Sequence, residues 1–169
     1  KVQSKESMMD ALALFGRDNA RTPMQWDGSK YAGFTAADAP TEPWISVNPN
    51  HVEINAAAQF DDPDSVFAFY KKLVNLRHNS AVVAAGEWQL VDDDDEKIYA
   101  FTRTLGDKRV LMAINLTGQH GALPKPVADL IGDGVREDQI ILSTYDAIHS
   151  EKSLASGELA GWEGVVIEL

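Results

Sequence analysis

Gly16-Arg17-Asp18-Asn19-Ala20-Arg21-Thr22-Pro23-Met24-Gln25-Trp26-Asp27 is the densest polar stretch of the chain. Two guanidinium groups and two carboxylates stand around a proline, and an indole follows. Sugar recognition needs such parts: hydroxyl groups demand planar bidentate donors and acceptors, and the apolar face of a pyranose needs an aromatic platform. The same residues also fit a structural role in which Arg17 and Asp18 pair to pin a loop and Trp26 anchors it in a core. From the residues alone both readings stand.

Upstream of this stretch, Met8, Ala11, Leu12 and Phe15 recur at helical spacing from Ser4 onward, and Gly16 stands where a helix stop is expected. Downstream, from Arg17 to Phe60, periodicity fails. Pro23, Pro40, Pro43 and Pro49, with Gly28 and Gly33, interrupt every run. An irregular stretch this long inside a compact domain is uncommon. Its aromatics Trp26, Tyr31, Phe34 and Trp44 argue against simple disorder and predict an ordered loop built to pack on something.

Asp62 then offers an N-cap oxygen, Pro63 fits the first helical position and Asp64 complements the helix dipole. Val66, Phe69, Tyr70, Leu73 and Leu76 follow at three- and four-residue steps, which predicts a helix over 63–78 with one apolar stripe. After Gly86 the period changes to two. Residues 87–91, 97–104 and 109–116 read as an antiparallel meander broken at Asp92–Glu96 and at Leu105–Lys108. A long irregular connection follows, then strands at 139–144 and 164–168, with a weaker pair near Ser153 and Leu159. The expected division is a helix-plus-loop segment, residues 1–82, and a small all-β module, residues 83–169.

Twenty-six acidic residues against fifteen basic ones give a formal charge of -11, which repels nucleic-acid phosphates and anionic lipid. Neither nucleic acid nor membrane is expected as a partner. The absence of Cys removes disulfides and thiolate metal sites. With no charged-then-apolar leader after Lys1 and no run of about 18 apolar residues, a soluble cytoplasmic piece is expected.

The stretch from Gly16 to Asp27 resembles the signature of oligo-1,6-glucosidases and related α-glucosidases of glycoside hydrolase family 13. Similar segments follow in the same order: Ala32-Gly33-Phe34-Thr35, Pro43-Trp44-Ile45, Val47-Asn48-Pro49-Asn50, Asp64-Ser65-Val66-Phe67, Tyr70-Lys71-Lys72-Leu73 and, more loosely, Tyr99 to Arg103, Ser143 to Asp146 and Gly161-Trp162-Glu163. The resemblance implies a mixed fold. The last helix and long rim loop of a (β/α)8 barrel would precede an all-β antiparallel C-terminal sandwich or Greek-key domain, and the helix stripe would lie on strands of an upstream catalytic barrel.

It further implies a retaining enzyme acting on short α-glucoside oligosaccharides with two carboxylates about 5 Å apart, no cofactor and no metal. In the family those carboxylates precede Lys1, so Asp18, Asp27 and Glu53 are not expected to be catalytic, and the chain alone is expected to be inactive. Arg21, the second arginine of the signature, carries over as a group that binds hydroxyls of the non-reducing-end glucose. Arg17 and Asp18 are further substrate-binding candidates. Trp26 is expected to be structural, and so are Trp88 and Trp162, as core residues of the β module. His51, His78, His120 and His149 lack paired-ligand spacing, and Asp92 to Asp95 lacks the alternating ligands of a calcium loop. A free-standing carbohydrate-binding or structural β module is the alternative.

Overall fold

A computed structural model describes residues 4–92 and 94–169. The chain divides into two compact units, Lys1–Ala68 and Phe69–Leu169.

Unit 1 opens with helix α1 (Lys5–Phe15), whose N-cap Ser4 accepts the Ser7 amide and whose C-cap is Gly16. The expected helix is there, but none of its residues is buried. Three short 3-10 turns follow, at Arg17–Ala20, Lys30–Gly33 and Pro49–Val52. Helix α2 (Ala56–Phe60) was not expected from the sequence. It is only five residues long and starts at Asn55, whose side-chain oxygen accepts the Ala58 amide at 2.9 Å.

Helix α3 runs Val66–Asn79, so it begins three residues later than predicted. Asp62 does not cap it. The Asp62 side chain takes the Asp64 amide, closing a turn over Pro63, and Ser65 supplies the cap by accepting the Ala68 amide at 3.1 Å. The Ser65 hydroxyl also donates to Asp62 and Gln59 carbonyls, which explains why this small polar residue is buried.

Unit 2 is built on a five-stranded, wholly antiparallel sheet of order β1-β2-β3-β7-β5. Its strands are β1 (Glu87–Leu90), β2 (Ile98–Leu105), β3 (Lys108–Asn115), β5 (Ile140–Ser143) and β7 (Gly164–Glu168). A two-stranded ribbon pairs β4 (Gly121–Ala122) with β6 (Glu158–Leu159). The predicted meander lies within a residue of β1, β2 and β3. Its second hairpin pairs Leu105 with Lys108, and Gly106 at φ +63° supplies the left-handed first position of a two-residue turn.

Unit 2 is not all-β. Helices α4 (Ala81–Ala85), α5 (Lys125–Ile131) and α6 (Ala147–Ala155) complete it, and Ser153 lies in α6 rather than in a strand. On one face of the sheet Ile98, Ala100, Leu111, Ala113, Val165 and Ile167 pack against Val127 of α5, Leu154 of α6 and Leu159 of β6. Full burial of such a side chain stabilises by roughly 1.5 to 3 kcal/mol. The other face carries Val110, Met112 and Val166, covered by Val82 and Val83 of α4 with Leu76 of α3. The second face is covered only over the middle of the sheet: Tyr99, on the same face of β2, is exposed, while Ile98, Ala100 and Thr102 on the first face are buried.

Under the helical cover, Glu163 is wholly buried and charged by type. Ser150 Oγ–H donates to one of its oxygens at 2.5 Å and the Ala160 amide to the other at 2.7 Å. The carboxylate thereby ties α6 to the turn before β7. Ser143 Oγ lies 2.6 Å from Ser150 Oγ and brings β5 into the same network.

Candidate functional site

The signature loop begins where α1 stops. Gly16 donates to the Leu12 carbonyl at 2.8 Å, and the chain turns through Arg17–Ala20, closed by the Arg21 amide on the Asp18 carbonyl at 3.0 Å. Arg17, Asp18 and Arg21 are all exposed. Among the described residues no ion pair or side-chain hydrogen bond holds any of the three, so the pairing of Arg17 with Asp18 that would pin the loop is not formed.

What fixes the loop lies after Arg21. Pro23 is buried. The Gln25 and Trp26 carbonyls accept the Ala56 and Ala57 amides, each at 2.9 Å, and the Gln25 side-chain amide donates to the Ile54 carbonyl. Asn55, itself buried, donates to the His51 carbonyl at 2.8 Å and so holds the opposite side of this junction. Trp26 is fixed by its backbone; its indole stays half exposed and does not anchor a core.

The segment is tied a second time through Ala32. Its carbonyl accepts both the Trp26 amide at 2.9 Å and the Asp27 amide at 3.2 Å. To present that carbonyl the chain passes through three consecutive left-handed residues, Tyr31 (φ +59°), Ala32 (φ +56°) and Gly33 (φ +63°). For non-glycine residues this conformation costs about 1 to 2 kcal/mol each. Asp27 stands inside the turn: one carboxylate oxygen accepts the Ser29 amide at 2.8 Å and the Ser29 hydroxyl at 2.5 Å. A Cβ added to Gly33 would fall 2.6 Å from the other oxygen, so glycine is required there by space as well as by φ. The Ser29 hydroxyl, then its amide, hold the Asp27 carboxyl below its ordinary value, and His51 adds to the effect.

A cleft of about 370 Å³ opens beside this junction, lined by Thr22, Met24, Gln25, Asn55, Gln59 and Phe67 among others. Neither arginine lines it, and the side-chain amides of Gln25 and Asn55 are spent on the Ile54 and His51 carbonyls. Unit 1 thus presents Arg17, Asp18 and Arg21 exposed in and just after one short turn, apart from this cleft. Sequence reasoning missed Asp27, Ala32 and Gly33 as the organising group, although Asp27-Gly28-Ser29 is a recognisable side-chain-to-backbone turn.

Two aromatic expectations are corrected in unit 2. Trp88 is 49% exposed and Trp162 is 65% exposed, so neither is a core residue. Trp88 sits at the edge strand beside Phe101, ring centroids 6.2 Å apart. Trp162 is turned outward by a left-handed backbone (φ +60°), held by its amide on the Thr117 carbonyl at 2.8 Å. Asp95 is also more than a solvated charge: it accepts the Lys97 and Ile98 amides at 2.7 and 2.6 Å and starts β2. Among the described residues no group of three or more His, Asp or Glu side chains is placed to hold a metal ion, and no helix is long and apolar enough to cross a membrane.

The family profile of the alpha amylase catalytic domain matches residues 1–86, and the chain belongs to that family, glycoside hydrolase family 13. It is 38% identical over 167 residues to an oligo-1,6-glucosidase of Parageobacillus thermoglucosidasius, covering 99% of this chain and 28% of that protein. It is 37% identical over 164 residues to a glucan 1,6-alpha-glucosidase of Streptococcus pneumoniae, with 97% and 28% covered. Among solved structures, the trehalulose synthase of Pseudomonas mesoacidophila MX-45 superposes with a TM-score of 0.79 at 30% identity, over 98% of this chain and 28% of that one. The chain therefore spans a little over a quarter of the length of the relatives it matches.

Proposed function

We propose that this chain is the C-terminal part of a retaining, exo-acting α-glucosidase that hydrolyses short α-linked glucosides, with residues 1–82 closing the catalytic barrel and residues 83–169 forming its C-terminal domain. The observation that carries this reading is the bareness of unit 1. Among its described residues only Pro23, Ala32, Asn55 and Ser65 are buried, while Met8, Leu12, Phe15, Trp44, Ile54 and Val66 stand exposed. A segment of this length with one proline and one alanine as its buried apolar residues does not repay its own ordering entropy. It needs a surface to lie on, and the relatives' additional length is the natural source of one.

In this reading the reacting carboxylates belong to the upstream part and act as nucleophile and general acid/base. The present residues bind and orient. Arg21 donates its planar fork to hydroxyls of the terminal glucose, and Arg17 and Asp18 stand beside it on the same turn. The unpaired state of all three fits a role that only substrate or the upstream part completes. The working location is the cytoplasm. The test is hydrolysis of 4-nitrophenyl α-glucoside: this chain should match a buffer blank, and turnover above the blank would refute the placement of the reacting groups upstream.

One observation favours a second reading. The Trp162 indole is exposed on a backbone held by its amide bond to Thr117, as an aromatic platform for glucan on unit 2 would be. Calorimetry with isomaltose and maltoheptaose decides it; flat heats at millimolar ligand would end it.

A further inference from the structure

Among the described residues the Arg21 guanidinium has no ion pair or side-chain hydrogen bond, so its aim is inherited from the backbone on either side. On the N-terminal side that is one bond, from the Arg21 amide to the Asp18 carbonyl. On the C-terminal side it is the whole junction from Pro23 to Asp27, doubly tied to 54–57 and to the Ala32 carbonyl. The second tie exists only while Tyr31 and Ala32 remain left-handed. Backbone strain of this kind persists where its surroundings over-determine it, and it collects at sites whose geometry matters.

The group that over-determines it is the Asp27 carboxylate, packed against Gly33 on one oxygen and holding Ser29 on the other. The Ser29 carbonyl in turn accepts the Ala32 amide at 2.8 Å, which closes the ring of contacts. Asp27 is thus engaged inward.

We infer that Asp27 is a positioning residue for Arg21: by locking the left-handed turn 31–33 it fixes the segment 23–27 from which Arg21 is aimed at the sugar. The inference rests on Arg21 contacting substrate. It assigns Asp27 no contact with substrate and no part in proton transfer, which separates it from the carboxylates that do the chemistry.

The test is a double-mutant cycle in the full-length enzyme, reading kcat and KM on 4-nitrophenyl α-glucoside. Asp27→Ala should lower kcat/KM by between about tenfold and a hundredfold, the scale on which a misplaced contact is felt. Asp27→Asn, which keeps an acceptor for Ser29, should recover most of the loss. In an Arg21→Ala background Asp27→Ala should add nothing, because its effect passes through the missing side chain.

Equal losses from Asp27→Ala in both backgrounds would mean a general structural role and overturn the inference while leaving Arg21 in place. An Arg21→Ala enzyme with unchanged kcat/KM would overturn the substrate contact itself and the inference with it. Should Asp27→Ala fail to fold, Ser29→Ala removes the hydroxyl bond to Asp27 while keeping the amide bond: coupling of its smaller loss to Arg21 supports the inference, and independence from Arg21 overturns it.

Discussion

Arg21 lies exposed just after the turn Arg17–Ala20, and the contact proposed for it with a sugar hydroxyl would gain its strength only where water is excluded. Removing one charged donor from a desolvated site costs roughly 2 to 4 kcal/mol of transition-state binding. Arg21→Ala in the full-length enzyme should show that loss in kcat/KM while leaving the melting temperature of this chain alone unchanged. Glu163 makes the opposite case, a charge with its value inside the fold. Glu163→Gln keeps the volume but replaces one acceptor oxygen with a donor facing Ser150 or the Ala160 amide, and should destabilise unit 2 by about 1 to 3 kcal/mol, read as a lower urea midpoint. Asp27 adds a pH dependence of defined sign. Its carboxyl is depressed in the fold, so its contribution is complete above the ordinary carboxylate range and is lost as pH falls through the lowered value. Exchange of the Ser29 amide, corrected for its intrinsic rate, should lose protection only in that acid window.

At the scale of elements, the sheet and α3 respond differently to the same kind of change. Leu111 is wholly buried in the central strand β3, and Leu111→Ala should cost about 2 to 5 kcal/mol. Tyr70 stands out of α3, and Tyr70→Ser in this chain should stay within about 0.5 kcal/mol by thermal melting; in the full-length enzyme the same change should cost far more. Legibility followed the same division. The strands of unit 2 were legible because Ile98, Ala100 and Thr102 alternate against Tyr99, Phe101 and Arg103, and that alternation survives in the burial of β2. The start of α3 was misread because Asp62-Pro63 has the form of a cap, while Ser65 holds more bonds and wins. Helix α6 was missed although Asp146 accepts the His149 amide as its N-cap; helix α5 was missed because Pro124, Pro126 and Gly132 punctuate a seven-residue helix like a loop. The site was legible as a stretch of residues and not as a geometry. No periodicity reports that Tyr31 and Ala32 turn left-handed, since that depends on Asp27 and on the distant junction with Ala56.

For the whole molecule the governing fact is the imbalance between a unit with a two-sided core and a unit with almost none. Amides of unit 1 should therefore exchange with solvent well before those of β3 when this chain is studied alone, and hydrogen exchange read by mass spectrometry reports it directly. Large exposed apolar side chains on α1, α2 and α3 would also favour association, opposed by a net charge of -11. Both behaviours follow from the claim that the chain is built to lie against a larger partner from the same polypeptide. Mass spectrometry of the native protein in its source cells tests that claim most directly, by asking which intact species carries these peptides. One polypeptide several times longer than 169 residues, with an Asp, Glu and Asp set upstream of Lys1, is expected. A free-standing native species of 169 residues would contradict it and move the sugar-binding reading of Trp162 to first place.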